Sequence, residues 1–425
     1  MSGSIGIAVL HVSSMPHRLV VLHRNFRDWF VREWAGDLHR YEAHHFSAAA
    51  LCVALFLSSS LSSNAADTPL PSDWHYGGYV DVSYSVDFNF PENHRWRSKG
   101  TTPRVNEVAP NMLLAYVQKD ATVSSRWGME FGIQAGYDTN ALVPEPLPGR
   151  DRPAEGADAL RHFSRANVSY LAPIGKGLLL TAGLFNSYIG YQSIFAKQNL
   201  NYTRTYMADN APYYLFGVAA EYAMTSRLQT NFYIVNGYSY LSHPNNQFSY
   251  GARVSYAADN GLTVTENIYY GPDQFDTAHR FWRFFSDSIV EWKQDRLTVA
   301  FAYDIGTEEA AEQVGHPRTF WTGAAFYAHW KVSGPWSVAL RPEVYWDRNG
   351  RISGSEQVLR AITTTVEYRI HLAPQSVVAR LEYRYDESAG AGGGFFRRGD
   401  IAPGVVGLAR EQQLILCSLI WAFDR

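Results

Sequence analysis

The chain has 425 residues, of which 18% are charged and 15% are aromatic, and its formal net charge at pH 7 is −3. Soluble globular chains usually carry about a quarter charged residues, so this composition is atypical for them. The small negative charge argues against nucleic acid as a partner. The mean hydropathy of −0.23 argues against a bundle of membrane-spanning helices, whereas strands that alternate apolar and polar residues average close to neutral.

The N-terminal part has the features of a targeting segment. Residues 46–57 form an apolar run of the length expected for the central region of a secretory signal peptide, and small residues follow it up to Ala65 and Ala66. The run is too short to span a bilayer as a helix, which needs about 20 apolar residues. A short buried helix is the alternative. We predict a non-native or disordered extension over 1–45, a signal peptide over 46–66, and an outer-membrane domain over 67–425.

Strict alternation of apolar and polar residues dominates the predicted mature domain. The apolar set that starts at Trp336 consists of every second residue, namely Trp336, Val338, Leu340, Pro342, Val344 and Trp346. The residues between them are Ser337, Ala339, Arg341, Glu343, Tyr345 and Asp347. A period of two places these sets on opposite faces of a β-strand. Glu266 is an exception, because it falls on the apolar face of its strand.

The connections between strands favour a membrane barrel over a β-sandwich, which would alternate in the same way. Long and short connections take turns along the chain, as external loops and periplasmic turns do in outer-membrane barrels. We predict an all-β, antiparallel, up-and-down transmembrane barrel of about 16 strands, within a range of about 14–18. The predicted strands are 75–89, 109–119, 125–137, 161–171, 177–187, 211–223, 226–237, 247–257, 261–271, 280–293, 296–306, 319–332, 335–347, 357–370, 376–387 and 410–423.

Aromatic residues cluster near the two ends of these strands, as expected for the two interfaces of a bilayer. The periplasmic band would contain Trp74, Tyr116, Tyr170, Tyr222, Tyr256, Trp292, Trp330, Trp336 and Trp421. The external band would contain Phe88, Tyr137, Phe163, Tyr214, Tyr270, Trp282, Tyr303, Trp321, Trp346 and Tyr385. The last strand carries Phe423 near its end, which is typical of strands that the outer-membrane assembly machinery recognises.

One stretch resembles a known family. The sequence Gly183-Leu-Phe-Asn-Ser-Tyr-Ile-Gly-Tyr-Gln192, followed by Asn201-Tyr-Thr-Arg204, is similar to the central segment of the β-barrel porin-2 (OmpL-like) family. The resemblance implies an outer-membrane channel and supplies no catalytic residues.

Charged residues of both signs are concentrated on the inward face of the thirteenth to fifteenth predicted strands. We call this set the charged arc: Arg341, Glu343, Glu367, Arg369, Arg380, Glu382, Arg384 and Asp386. An arginine at the bilayer midplane costs about 2–4 kcal/mol on the lipid side, so the arc is predicted to face the barrel interior. Asp81, Asp87, Glu130 and Asp138 would face it from the first and third strands. These residues either line a pore, where arginines favour anions and acids favour cations, or pair across neighbouring strands.

The third external connection, residues 188–210, is long and rich in aromatic residues. Long loops with a core of their own tend to be functional. We predict that this loop folds back into the barrel as a constriction, with Lys197, Arg204 and Asp209 beside the water path. A cap over the barrel mouth and a contact with a neighbouring barrel are the alternatives.

The predicted function is passive diffusion of small polar solutes or ions through the outer membrane. No metal site or cofactor is predicted, and the expected partners are outer-membrane lipid, the assembly machinery and the solutes themselves. A homo-oligomer is compatible with the sequence. A surface adhesin or receptor is one alternative, and a lipid-modifying enzyme that uses His162 and Ser164 is another, although no third catalytic residue can be assigned.

We expect the mature chain to begin at Ala66 or Asp67, because the small residues after the apolar run form the cleavage site. N-terminal sequencing or intact-mass analysis of protein from outer membranes measures this directly. Mature protein that retains residues 46–57 would contradict the signal-peptide prediction.

Overall fold

A computed structural model describes residues 73–142, 160–238, 241, 244–274, 277, 280–402 and 404–425. The predicted extension and signal peptide lie outside the described residues. In the described part of the chain, no helix combines the length and the hydropathy needed to cross a membrane. The short helical segments of the described residues include two 3-10 turns, Tyr137–Leu142 and Ala196–Gln198, and one α-helical turn, Tyr206–Asp209.

Strands account for most of the described residues. The first nine are β1 Trp74–Asp87, β2 Val108–Lys119, β3 Trp127–Ala135, β4 Phe163–Ala172, β5 Leu178–Asn186, β6 Tyr214–Ala223, β7 Leu228–Val235, β8 Ser249–Ala257 and β9 Leu262–Pro272. The others are β10 Trp282–Lys293, β11 Leu297–Glu309, β12 Arg318–Ser333, β13 Trp336–Asp347, β14 Gln357–Leu372, β15 Gln375–Ala389, β16 Phe395–Ala402, β17 Val405–Ala409 and β18 Glu411–Asp424.

Sixteen of these strands form one closed antiparallel barrel. Each pairs with the next barrel strand along the chain, so that β15 pairs with β18. The barrel closes where β1 pairs with β18, from Gly77 opposite Asp424 to Asp87 opposite Leu414. Closure leaves no unpaired sheet edge, which is what a sheet in lipid requires. The predicted fold class and strand number are confirmed.

The connections separate onto the two ends of the barrel. Seven turns lie at one end. They have two to seven residues, and the longest is 120–126. Eight connections lie at the other end. They have eight to 27 residues; 310–317 is the shortest, and 187–213 is among the longest. The predicted alternation of short and long connections is confirmed. Because each strand runs antiparallel to the one before it, successive connections lie at opposite ends of the barrel.

β16 and β17 pair only with each other and stand apart from the barrel. They lie in the last long connection, for which we predicted no strand. The barrel strands were recognisable by the alternation of apolar and polar residues, whereas β16 does not alternate and β17 has only five residues.

The exposure of side chains along the barrel is the reverse of that in a soluble protein. In β13 the outward Val338 is 37% exposed, whereas the inward Arg341 has no exposed surface. The same strict alternation runs through the whole of β13. The apolar face therefore meets lipid and the polar face meets the barrel interior.

Aromatic side chains extend outward near both ends of the wall. Exposed rings at the short-turn end include Trp127, Tyr170, Tyr256, Trp292, Trp330 and Trp336. Exposed rings at the long-loop end include Phe88, Tyr250, Tyr270, Tyr303 and Trp346. Two predicted members of the external band, Tyr214 and Trp321, instead point inward and are buried. The indole of Trp321 lies over Gly306, where any side chain would occupy the same space.

Glu266 is satisfied within the wall although it faces outward. Its carboxylate oxygens accept hydrogen bonds from the Ser286 Oγ at 2.6 Å and the Ser288 Oγ at 2.5 Å. Both serines lie on the outward face of the adjacent strand β10. The hydrogen bonds replace water around a polar group in an apolar environment, and this explains how an acidic residue is tolerated there.

We expect Val168→Arg to reduce folding into lipid far more than Ser169→Arg. Val168 is exposed on the outward face near the middle of β4, opposite Met129 and Ala182, and its neighbour Ser169 faces inward. The lipid-side arginine should cost about 2–4 kcal/mol. The measurement is the free energy of unfolding in lipid vesicles, and equal losses for the two variants would contradict the assignment of faces.

Candidate functional site

The third long connection, residues 187–213, runs inside the barrel, and we call it the inner loop. It leaves β5 at Asn186 and joins β6 at Tyr214, yet its hydrogen bonds reach strands on other sides of the wall. The Gly190 amide donates to the Asp287 Oδ2 on β10 at 2.7 Å. The Asn201 Nδ2 donates to the Thr365 Oγ1 on β14 at 2.7 Å. The inner loop therefore crosses the lumen rather than covering its mouth.

Short-range contacts give the inner loop a defined shape. Thr205 caps the turn Tyr206–Asp209, since its Oγ1 accepts a hydrogen bond from the Ala208 amide at 3.1 Å. The Asn199 Oδ1 accepts from the Ser193 amide at 2.9 Å, which closes the bend around the turn Ala196–Gln198. These side chains supply the backbone hydrogen bonds that an irregular segment otherwise lacks.

Aromatic rings fix the loop against the wall, as its composition predicted. The Tyr188 ring stacks on Tyr233 of β7, with centroids 3.9 Å apart. The Phe195 ring meets Tyr79 of β1 edge to face at 5.8 Å. Residues 201–208 are all buried.

The charged arc lies against the inner loop and binds its backbone. Arg341 donates to the Thr203 carbonyl. Arg380 donates to the carbonyls of Ala196 at 2.8 Å and Asn199 at 2.7 Å. In the opposite sense, the Glu343 Oε2 accepts from the Tyr206 amide and the Glu382 Oε2 from the Tyr202 amide, both at 2.7 Å. Charged side chains thus satisfy loop groups that have no strand beside them.

The members of the arc also pair with one another. The Arg384 Nη2 lies 3.0 Å from the Glu343 Oε1, and its Nε lies 2.8 Å from the Asp386 Oδ1. Glu367 joins Arg380 at 2.7 Å and Arg369 at 2.8 Å. Four arginines therefore stand beside four acids, and the arc as a whole is neutral.

The structure places the predicted pore residues in two environments. Eight of them face inward but are covered: Asp81, Asp87, Arg341, Glu343, Glu367, Arg380, Glu382 and Arg384 are at most 7% exposed. Two keep partial exposure, namely Glu130 and Arg369. Asp81 accepts a hydrogen bond from the Tyr202 hydroxyl of the inner loop at 2.7 Å. Asp87 accepts from the Asn89 amide at 2.8 Å and braces the first external connection.

Arg204 lies inside the barrel but not beside water, contrary to our expectation. It has no exposed surface, and its Nη2 lies 2.9 Å from the Asp138 Oδ2. The guanidinium also donates a hydrogen bond to the Ile194 carbonyl of the same loop, and this second partner helps to stabilise it away from solvent. Its charge is therefore matched by Asp138 and does not face a water path.

Asp209 is buried as well, and Lys197 retains some exposure. Asp209 forms an ion pair with Lys99 of the first external connection and accepts from the hydroxyls of Thr101 at 2.7 Å and Tyr213 at 2.9 Å. Burial alone would raise the pKa of Asp209, but these partners outweigh burial and hold that pKa below its ordinary value. The Lys197 side chain is 20% exposed and lies 3.0 Å from Asp424.

Sequence reasoning missed the part played by the first external connection. Lys99 donates to the Arg204 carbonyl at 2.7 Å, and Trp96 is buried over the Arg384 guanidinium, 5.3 Å from ring centroid to cation. A tryptophan within a polar loop was the available signal, because exposed loops rarely contain buried-type residues. Two external connections thus fill the lumen beside the arc.

The opposite side of the lumen is less crowded. The inward residues Arg165 of β4, Glu221 of β6 and Arg253 of β8 are partly exposed. Thr181 and Gly217 lie between them and are small. A cavity of about 210 Å³ is lined by Asn186 at the end of β5 and by residues 187, 189–194, 198 and 213 of the inner loop.

The two residues of the alternative catalytic pair, His162 and Ser164, lie in different environments. Ser164 has no exposed surface, whereas His162 is exposed and precedes β4. No group of three or more His, Cys, Asp or Glu side chains in this part of the chain is arranged to hold a metal ion.

A closed sixteen-stranded barrel with an apolar exterior, aromatic bands and an inserted third loop defines a porin-type protein of the outer membrane. The chain belongs to the family described as "Putative beta-barrel porin-2, OmpL-like", whose model matches residues 74–423. This confirms the resemblance found in the sequence, and it confirms the predicted location in the cell outer membrane. No curated protein matches the sequence.

Solved structures with the same fold come from several bacteria. In-vitro folded OmpT, an outer membrane protein of Vibrio cholerae, has a TM-score of 0.51 and 10% identity over 84% of this chain and 100% of that chain. An anion-selective porin from Comamonas acidovorans has a TM-score of 0.51 and 9% identity over 82% and 99% of the two chains. The outer membrane channel DcaP of Acinetobacter baumannii has a TM-score of 0.50 and 8% identity over 83% and 97%. At these identities the likeness establishes the fold alone.

We expect Arg204→Met to destabilise the folded barrel by about 3–5 kcal/mol, because it leaves the Asp138 carboxylate buried without its partner. Adding Asp138→Asn should recover part of the loss, since the amide oxygen can still accept from the Thr102 amide. The measurement is the free energy of unfolding in detergent or lipid. Lys197→Met is the control, because a partly exposed ion pair contributes only about 0–1 kcal/mol. Equal effects of Arg204→Met and Lys197→Met would show that the buried pair does not hold the loop.

Proposed function

We propose that this protein is a passive channel through which small polar solutes cross the outer membrane. The observation that carries the proposal is the uneven filling of a wide barrel by the inner loop. Sixteen strands enclose enough space for an aqueous channel. The inner loop packs against the charged arc and reaches β10 at Gly190, while polar side chains of β4, β6 and β8 stay partly exposed.

The proposed water path descends between the inner loop and the wall formed by β4–β8. Partly exposed charged side chains on an inward strand face are stable only where water reaches them, and Arg165, Glu221 and Arg253 meet this condition. Small inward residues such as Thr181 and Gly217 widen the space beside them. The covered members of the arc, by contrast, have the role of holding the loop.

The charges along this path do not favour one sign. The Arg165 Nη1 lies 3.4 Å from the Glu130 Oε1, and the two other charged side chains of the path, Glu221 and Arg253, have opposite signs. The arginines that would favour anions belong to the neutral and covered arc. A path with balanced charges suits polar solutes of low net charge better than it suits one class of ion.

The remaining partners follow from the same surfaces. Outer-membrane lipid would contact the apolar exterior, and the assembly machinery would recognise β18, in which Phe423 faces outward. A homo-oligomer stays a prediction.

The experiment that tests the channel is current through single proteins in a planar bilayer, for the natural chain and for a variant in which a short Gly/Ser linker replaces residues 192–200. The natural chain should conduct, and the variant should conduct roughly twofold more or better, because the segment fills part of the pore. Folding is checked by the altered gel mobility of the unheated barrel. A correctly folded protein without conductance would overturn the proposed function, and an unchanged conductance would show that the segment does not narrow the path.

A further inference from the structure

The cavity beside the inner loop has a lining without charged side chains. It is lined by residues 186, 187, 189–194, 198 and 213, and the polar ones among them carry amides or hydroxyls. Charged groups in the neighbourhood are already engaged: Glu291 accepts from the Tyr191 hydroxyl at 2.6 Å, and Asp287 accepts from the Gly190 amide at 2.7 Å. A charged solute would lose hydration here without gaining an opposite charge.

Side-chain amides in the lining have unused hydrogen-bonding capacity. The Gln192 Oε1 accepts from the Thr205 amide at 2.7 Å, but its Nε2 has no partner among the described residues, although Gln192 is only 7% exposed. A buried donor without a partner is costly and calls for a bound group. The amide of Gln198 is exposed and can donate as well as accept.

The serines of the lining present donors. The Ser187 Oγ accepts from the Ile189 amide at 3.0 Å, and the Ser193 Oγ accepts from the Phe195 amide at 3.1 Å. Their hydroxyl protons therefore remain free to donate. Mixed donors and acceptors without net charge match hydroxyl groups, which also donate and accept.

Two tyrosines add flat apolar surface. The hydroxyls of Tyr191 and Tyr213 are occupied by Glu291 and Asp209, so what the rings offer the cavity is mainly carbon. Such surface suits the C–H faces of a compact polyol.

The size of the cavity limits its occupant. A volume of about 210 Å³ is below the roughly 300–1,000 Å³ of sites for drug-sized ligands. Gly190, at φ +91°, borders it with no atom within 4 Å of the position that a side chain would take. The loop thus leaves open space there for a small solute.

We propose that this cavity is a binding site for a neutral polyhydroxylated solute of monosaccharide size on its way through the channel. The inference rests on the proposed function and names the class of solute. Binding along the path would raise the local concentration of that solute and favour its passage at low concentration.

The test uses D-glucose as the probe and the full-length mature barrel in planar bilayers. Glucose should reduce the ionic current in a saturable manner, and tetraethylene glycol, which has a similar size but fewer hydroxyls, should not saturate. Gln192→Glu keeps the acceptor for the Thr205 amide and removes the free donor. It should raise the half-blocking concentration of glucose about fivefold, which corresponds to about 1 kcal/mol for one hydrogen bond.

Gln229→Glu is the matched control, because it makes the same chemical change on the inward face of β7 outside the cavity. It should leave the half-blocking concentration unchanged. If ions pass but glucose and the glycol reduce the current alike, or if both variants have the same effect, the binding site is overturned while the channel stands. Absence of any current would overturn the channel and the site together.

Discussion

The backbone of the inner loop has to find hydrogen-bond partners in a place where no strand runs beside it and little water reaches it. An unpaired buried amide or carbonyl costs as much as a lost hydrogen bond, so a loop cannot enter a barrel on apolar contacts alone. In this protein the carbonyls of Thr203, Ala196 and Asn199 are satisfied by two arginines, and the amides of Tyr202 and Tyr206 by two glutamates. The composition of the wall at β13–β15 follows from that demand.

Burying so many charges is stable only because they alternate in sign. Removing a single charge from water costs several kcal/mol, and attraction repays that cost only with close pairing and further hydrogen bonds. Arg384 illustrates the arrangement, since Glu343 and Asp386 both lie within 3.0 Å of its guanidinium. Rows of arginines alone, as in a pore tuned for anions, could not be covered by a loop in this way. The side of the lumen that holds the loop therefore requires paired charges, and the proposed water path on the other side does not.

Much of the barrel was predictable because its rules are local. Alternation over about ten residues identifies a strand and its two faces, and the lengths of the connections identify the two ends. The insertion of the inner loop was also indicated, since Tyr188, Phe195 and Tyr202 need something to pack against. The sequence did not predict whether an inward side chain is buried beneath a loop or exposed to the lumen. The alternation predicts that Arg341 faces inward. It does not predict that the Arg341 guanidinium donates a hydrogen bond to the Thr203 carbonyl of the inner loop.

The errors have the same origin. Arg204 has the composition and position of a pore residue, and only the fold brings Asp138 from another connection to within 2.9 Å. Trp321 lies near a strand end like its neighbours in the aromatic bands, yet Gly306 on the adjacent strand creates space for it inside. In both cases a partner distant in sequence decides the environment. The β16–β17 hairpin was missed because β16 does not alternate apolar and polar residues and β17 has only five residues.

The closure of β1 on β18 has a consequence for how the molecule is made. Contacts between distant parts of a chain form late and slow folding, because the intervening segment must first be closed into a loop. The inner loop precedes β6, but its anchors Thr365 and Glu382 belong to β14 and β15, near the other end of the chain. The final contacts of the loop therefore require β14 and β15 to be in place. These strands complete the interior of the barrel as well as its perimeter.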